Sequence, residues 1–293
     1  MSFKSGFVTI IGKPNAGKST LLNALIGEKI SIVTPKAQTT RHRIKAILNS
    51  KEFQVVFSDT PGVIDAKYEL HKSMMKTIDD SVEDADILLF LFDAKKEIST
   101  VTELSTRYGN NAIQKIIAIN KCDVANEKNL DAFSEEAKKF FPGSEIVFIS
   151  ALKKLHLDEL LQTILKLLPE QNPFFSEDEL TDRSERFIVS ELIREKIFEQ
   201  FQQEVPYSTE VIVQEWKDEA EITKIRADIV VERESQKAIL LGKGGAAIKK
   251  LGIEARKSAE EFLKKKIFLG LTIKVNSGWR NSERMLKYFG YQK

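Results

Sequence analysis

The stretch "GKPNAGKST" at 12–20 carries two glycines, a lysine and a hydroxyl at fixed spacing, the pattern G-x-x-x-x-G-K-[ST]. Gly12 and Gly17, with Lys13, Pro14, Asn15 and Ala16 between them, let backbone N–H groups curl round a β-phosphate. Lys18 then reaches the β- and γ-oxygens, and the Ser19 hydroxyl, next to Thr20, ligates Mg²⁺. "DTPG" at 59–62 adds Asp59 to hold that magnesium through its water and the Gly62 amide to meet the γ-phosphate, with Thr60, Pro61 and Val63 completing the loop. "NKCD" at 120–123 selects the base. The Asp123 carboxylate accepts two hydrogen bonds from guanine that adenine does not offer, while Asn120 and Lys121 brace the loop around Cys122. "SAL" begins with Ser150 and brings the Ala151 N–H to the guanine oxygen. The set predicts a site for GTP and GDP with Mg²⁺.

Between the first two motifs, "TPKAQTTRHR" at 34–43 reads as a switch loop, in which Thr40 rather than Thr39 completes the magnesium shell when the γ-phosphate is present. Lys18, Thr40 and Gly62 are the residues expected to act on the γ-phosphate; Ser19, Thr40 and Asp59 are the expected metal ligands. Arg41 and Arg43 read as solvated or RNA-facing. Val63 stands where a glutamine would orient the attacking water, so intrinsic turnover is expected to be slow. Asn15 reads either as a ligand for K⁺ beside the phosphates or as a loop-shaping residue.

A second glycine–lysine loop, "GKGG" at 242–245, invites a dinucleotide reading. The preceding "ESQKAILL" is too polar at its start for a strand, and Glu260 and Glu261 fall on a basic helix rather than at a strand end, so that reading fails. A Gly-x-x-Gly turn between two helices instead lets a single-stranded nucleic-acid backbone lie against the main chain. Gly242, Lys243, Gly244 and Gly245 form that turn, and Lys249, Lys250, Arg256 and Lys257 extend its charge along the next helix. Trp279, Arg280, Tyr288 and Tyr291 suit base stacking, but packing of the last helix accounts for most of them.

These loops need elements to hold them. Residues 1–168 alternate short apolar runs with helical patterns, predicting an α/β domain with a mostly parallel sheet and one antiparallel hairpin at 45–59. Two prolines and an acidic run mark a break over 167–182, with residues 169–180 as the linker; 181–293 then form an α+β domain. Net charge is +2, but residues 236–293 hold 14 Lys/Arg against 4 Asp/Glu, a balance of +10 that calls for a polyanionic partner. The longest apolar runs are strand-sized, the N-terminus has no secretory pattern, and Cys122 is the one cysteine. A cytoplasmic protein is expected. A GTPase switch acting on a protein or an anionic membrane is the competing reading.

The combination of GKPNAGKST, KAQTTRHR, DTPGV, NKCD, SAL and GKGG, with "TDRSERF", "IVVERESQK", "GIEARK" and "SGW", resembles the Era GTPases over nearly the whole chain. That resemblance implies a P-loop GTPase domain of Ras-like fold followed by a type II KH domain. It also implies binding to the 3′ end of 16S rRNA in 30S ribosomal subunit assembly and peripheral contact with the inner face of the cell membrane; a monomer is expected.

Overall fold

The computed structural model describes residues 3–292, which divide into two compact units. The first gathers the chain up to Ser31, Thr40–Asp65 and Met74–Asp182. In chain order its elements are β1 (Lys4–Ile11), α1 (Lys18–Ile26), β2 (Ile44–Asn49), β3 (Phe53–Asp59), α2 (Glu69–Glu83, from Met74 on), β4 (Ile87–Asp93), α3 (Ser99–Tyr108), β5 (Gln114–Asn120), α4 (Glu127–Phe140), β6 (Glu145–Ile149) and α5 (Leu157–Leu167). The sheet order is β2-β3-β1-β4-β5-β6, parallel throughout except for the β2–β3 hairpin. β4 lies centrally and all seven of its residues are buried, as an apolar run covered on both faces requires. Four of its functional loops leave a strand at the same, carboxyl-terminal edge, while 34–43 leads into β2. Gly12 follows β1, Asp59 ends β3, Asn120 ends β5 and Ser150 follows β6. A parallel sheet thus converts four motifs distant in sequence into one rim.

The segment expected as a linker is fastened to this unit. Gln54 of β3 donates to the Phe175 carbonyl and accepts from the N–H groups of Phe174 and Phe175. Asn49 of β2 donates to the carbonyls of Glu177 and Glu179, and the Ile47 N–H donates to Leu180. Polar side chains at the hairpin edge thus pair with the backbone of the passing chain, and residues 169–182 run as a strap rather than a tether.

The second unit comprises the chain from Arg183 on together with Ile32–Thr39 and Ala66–Ser73. A cut at 181 misses those two segments, because they join this unit through contacts with residues far along the chain. It contains α6 (Glu185–Gln200), β7 (Glu210–Asp218), β8 (Thr223–Val231), α7 (Glu234–Leu241), α8 (Ala246–Leu263), β9 (Ile267–Val275) and α9 (Glu283–Tyr288). β8 is central, antiparallel to β7 and parallel to β9. Ser184 caps α6 by accepting from the Phe187 N–H. Leu251, Ala255 and Ala259, one turn apart on α8, meet Ile188, Leu192, Ile225 and Ile229 in the core. Trp279 and Leu286 are fully buried, and the Trp279 indole donates to the Ser208 carbonyl (2.9 Å), so packing claims these residues while Tyr288 stays exposed.

Candidate functional site

On the first unit, Asn120 staples three motifs. Its amide donates to the Ala16 carbonyl (2.8 Å) and its oxygen accepts from the Ala151 N–H (2.9 Å). Lys121, in a left-handed conformation, donates to the Asn15 carbonyl at 3.0 Å and pairs with Asp93 at 2.7 Å. Asp93 ends β4 and escaped the sequence reading. Its position at the same strand edge was the available signal. The Asp123 carboxylate is exposed and takes no hydrogen bond from the described residues, leaving both oxygens for a ligand. Cys122, half-buried beside it, has its thiol pushed up by burial and by that carboxylate. Ser150 steadies the neighbouring turn by accepting from the Lys153 N–H and pairing with the Leu155 backbone.

At the phosphate end, Lys18 is buried and its ammonium rests on the carbonyls of Gly12 and Lys13, both at 3.1 Å. Burial lowers it to about 8, against a smaller opposing pull from Asp59. The 59–63 loop closes on the same turn. The Val63 N–H donates to the Gly12 carbonyl at 3.1 Å, and a Cβ on Gly62 would lie 2.7 Å from the Pro14 nitrogen. Lys13 forms an ion pair with Glu103 at the rim, Thr20 is half-buried on α1, and Thr60 and Pro61 lie inside the loop, the Thr60 hydroxyl donating to the Ile10 carbonyl at 2.7 Å. Asn15 is exposed with a left-handed backbone.

Three oxygens meet beneath this loop. The Ser19 hydroxyl lies 2.7 Å from Asp59 Oδ2 and 2.8 Å from Thr40 Oγ1, and Thr40 is 3.5 Å from the same carboxylate oxygen. Asp59 is buried, its Oδ1 has no hydrogen-bond partner among the described residues, and burial pushes its carboxyl up, with Ser19, Lys18, Ser31 and Thr40 opposing. A desolvated carboxylate among hydroxyls with an orphaned oxygen is a donor set suited to a hard divalent cation. The choice of Thr40 over Thr39 fits this geometry, since the Thr39 hydroxyl turns away to Thr34 (2.7 Å) and the Lys36 carbonyl (2.8 Å). Arg41 departs from expectation. It is 1% exposed, and Thr40 and His42 on either side of it are buried too. Arg43 is half-buried, bonded to Ser58 (3.1 Å) and Asp84 (2.5 Å).

On the second unit, Gly242, Lys243, Gly244 and Gly245 join α7 to α8, all three glycines at positive φ. Lys243 is exposed, as are Lys249, Lys250, Arg256 and Lys257 on α8, the last paired with Glu254 at 3.0 Å. An open groove of about 330 Å³ runs between α8 and β9, lined by Ile248, Ile253, Phe268 and Leu271 with Lys249 and Arg256 at its edge. Phe268 was not foreseen. It shares a strand face with Gly270, Thr272 and Lys274, opposite the buried Ile267 and Ile273, and is 52% exposed.

Residues 7–121 match the family model described as a 50S ribosome-binding GTPase, and residues 204–280 match the KH domain model. The chain is 42% identical to GTPase Era of Nitrosomonas eutropha, over 99% of this chain and 98% of that one. It is 44% identical to GTPase Era of Geotalea uraniireducens over the same shares. The chain belongs to the Era GTPase family. A crystal structure of Era in complex with MgGDPNP and nucleotides 1506–1542 of 16S ribosomal RNA superposes with a TM-score of 0.95 at 40% identity, covering 99% of this chain and all of that one. A crystal structure of a point variant of Aquifex aeolicus Era bound to GDP·AlF4⁻ gives the same TM-score and identity over the same shares. The Era fold therefore accounts for both units, a mostly parallel sheet carrying the nucleotide loops and a three-stranded KH sheet packed with the α7–GKGG–α8 helices.

Proposed function

We propose that this chain is a GTP-hydrolysing switch that binds the 3′ end of 16S rRNA and acts as a monomer in assembly of the 30S subunit. The observation that carries the reading is the presence of two complete sites in one chain. Ser19, Thr40 and Asp59 converge below a stapled P-loop, and GKGG opens beside a basic, apolar-floored groove, within a chain that matches the rRNA-bound Era structure from end to end.

Lys18 brings a positive charge to the β- and γ-phosphates, and the 59–63 loop sets the Gly62 N–H toward the transferred group. Magnesium held by Ser19, Thr40 and Asp59 supplies charge neutralisation on the phosphate oxygens when bound. Asp123 reads guanine, and Asn120 keeps that reader in register with the P-loop. The buried, apolar Val63 cannot orient water, which makes the unassisted reaction slow. In the KH unit the backbone at 242–245 receives RNA phosphates, while Ile253, Phe268 and Leu271 offer apolar contact to bases.

The deciding experiment is crosslinking in cells followed by RNA sequencing, with the wild type and the Gly242→Asp/Gly245→Asp variant. A peak at the 3′ end of 16S rRNA that vanishes in the variant is expected. Equal binding to anionic vesicles and to any RNA, with no sequence preference, would replace this reading by a membrane switch. A cytoplasmic location with peripheral contact at the inner membrane face belongs to the same proposal, and vesicle flotation tests it. No helix among the described residues is long and apolar enough to cross a membrane. Asn15 as a K⁺ ligand predicts that exchanging K⁺ for Na⁺ depresses turnover in the wild type and leaves Asn15→Ala unaffected.

A further inference from the structure

Lys121 has a left-handed backbone, φ 66° and ψ 31°, a region that residues other than glycine rarely enter. Such a conformation persists only where its surroundings impose it, and here the lysine side chain supplies the imposing contacts. Its ammonium donates to the Asn15 carbonyl at 3.0 Å and pairs with Asp93 at 2.7 Å. The left-handed residue turns the chain out of β5 into the short turn Cys122–Val124, closed by the Val124 N–H donating to the Lys121 carbonyl at 3.1 Å. From that turn the Asp123 carboxylate projects into solvent.

Asp93 is set to receive the lysine charge. It ends β4 opposite Asn120 of β5 in the parallel register, and the Ala94 N–H donates to the Asn120 carbonyl at 3.0 Å. One carboxylate oxygen accepts from the Lys95 N–H at 3.0 Å, which fixes its rotation, and the other faces Lys121. The Asp93 side chain is 6% exposed, and among the described residues no other ion pair reaches it. Removing either member of such a pair leaves the other charge unmatched in a poorly solvated place.

We propose that Asp93 is a positioning residue for guanine selection. It holds Lys121, Lys121 holds the turn, and the turn places Asp123 where it meets both N–H groups of the base. Asp93 itself touches no part of the nucleotide. The proposal rests on the guanine reading above.

The test uses the full chain, with GDP and IDP competing against fluorescent N-methylanthraniloyl GDP in MgCl₂. IDP lacks the exocyclic amine, so it offers Asp123 one donor group where GDP offers two. Asp93→Asn keeps the shape of the side chain and removes its charge. It is expected to weaken GDP about tenfold and IDP about threefold or less, narrowing the preference between them. Lys121→Met is expected to narrow the preference in the same way, and the double variant to match Lys121→Met alone, since both substitutions cut one connection. Equal losses for GDP and IDP in Asp93→Asn overturn the proposal, because a residue that only supports the fold has no reason to spare IDP. So does a double variant in which the two single losses multiply, or a GDP affinity that Asp93→Asn leaves unmoved. A wild type that binds IDP as tightly as GDP sinks the guanine reading itself, and this proposal with it.

Discussion

The two glycine–lysine loops look alike in sequence and are built on opposite terms. At 12–19 the glycines are enforced by packing. Gly17 has φ 102°, and a Cβ there would lie 2.3 Å from the Asn120 amide nitrogen. At 244–245 the conformation alone demands glycine, and only at Gly242 would a Cβ also meet a neighbour, Ala247 at 2.7 Å. Gly245 has φ 79°, and a Cβ there meets nothing within 4 Å. The lysines differ in the same way, Lys18 buried on two carbonyls and Lys243 exposed. A site for a small trianion or tetraanion is a closed, preorganised cradle, whereas a site for a polymer stays open along its length.

The sharpest way to break this comparison is Lys18→Ala. It is expected to lower kcat for GTP about 100- to 1,000-fold, as loss of a transition-state donor does, while leaving RNA affinity of the nucleotide-free protein unchanged. Single-turnover hydrolysis and RNA filter binding read the two halves. Next come matched glycine substitutions. Gly17→Ala displaces Asn120 from Ala16 and is expected to weaken GDP binding about tenfold or more, about 1.4 kcal/mol. Gly245→Ala meets only the left-handed penalty of about 1–2 kcal/mol, visible in urea unfolding, with GDP affinity unchanged in calorimetry.

A pH titration sharpens the contrast in burial. The Lys18 ammonium falls to about 8 in the free site, and phosphate binds its charged form. GDP affinity is therefore expected to fall as pH rises through 8, by about tenfold between pH 7 and 9, with proton uptake measurable by calorimetry in buffers of different ionisation enthalpy. For the free fold the sign reverses. The unfolded lysine binds its proton up to its ordinary value of 10.5, so Lys18 costs stability below about 8, and that cost is relieved as pH climbs between these values. Lys18→Met removes both effects. The smallest expected change is in Lys243→Ala, which should lower the slope of log affinity against log salt by about 0.7, one single-strand phosphate contact.

Much of the site was legible because its chemistry is carried by consecutive residues. Gly12–Ser19, Asp59–Gly62 and Asn120–Asp123 each leave the end of an apolar strand, and a parallel sheet gathers strand ends without further instruction. Asp93 and Phe268 were harder to see, one a lone acid at a strand end and the other an aromatic on a strand whose exposed face had no pattern to mark it.

What the amino-acid sequence determined by itself is therefore the pair of folds and the motifs of a GTPase joined to a KH domain. What only the tertiary structure decided is where the connecting segments belong. Ile32–Thr39 lies in the second unit, where buried Arg194 pairs with Glu191 (2.6 Å) and donates to the Thr39 carbonyl, the Glu195 carboxylate accepts from the Val33 N–H (3.0 Å), and Lys36 donates to the carbonyls of Phe198 and Phe201. Glu191, Arg194, Glu195 and Phe198 fall at i, i+3, i+4 and i+7 of α6, a face that by composition reads as solvated. The charges are buried there because backbone groups more than 150 positions away complete them, a pairing that no local pattern encodes.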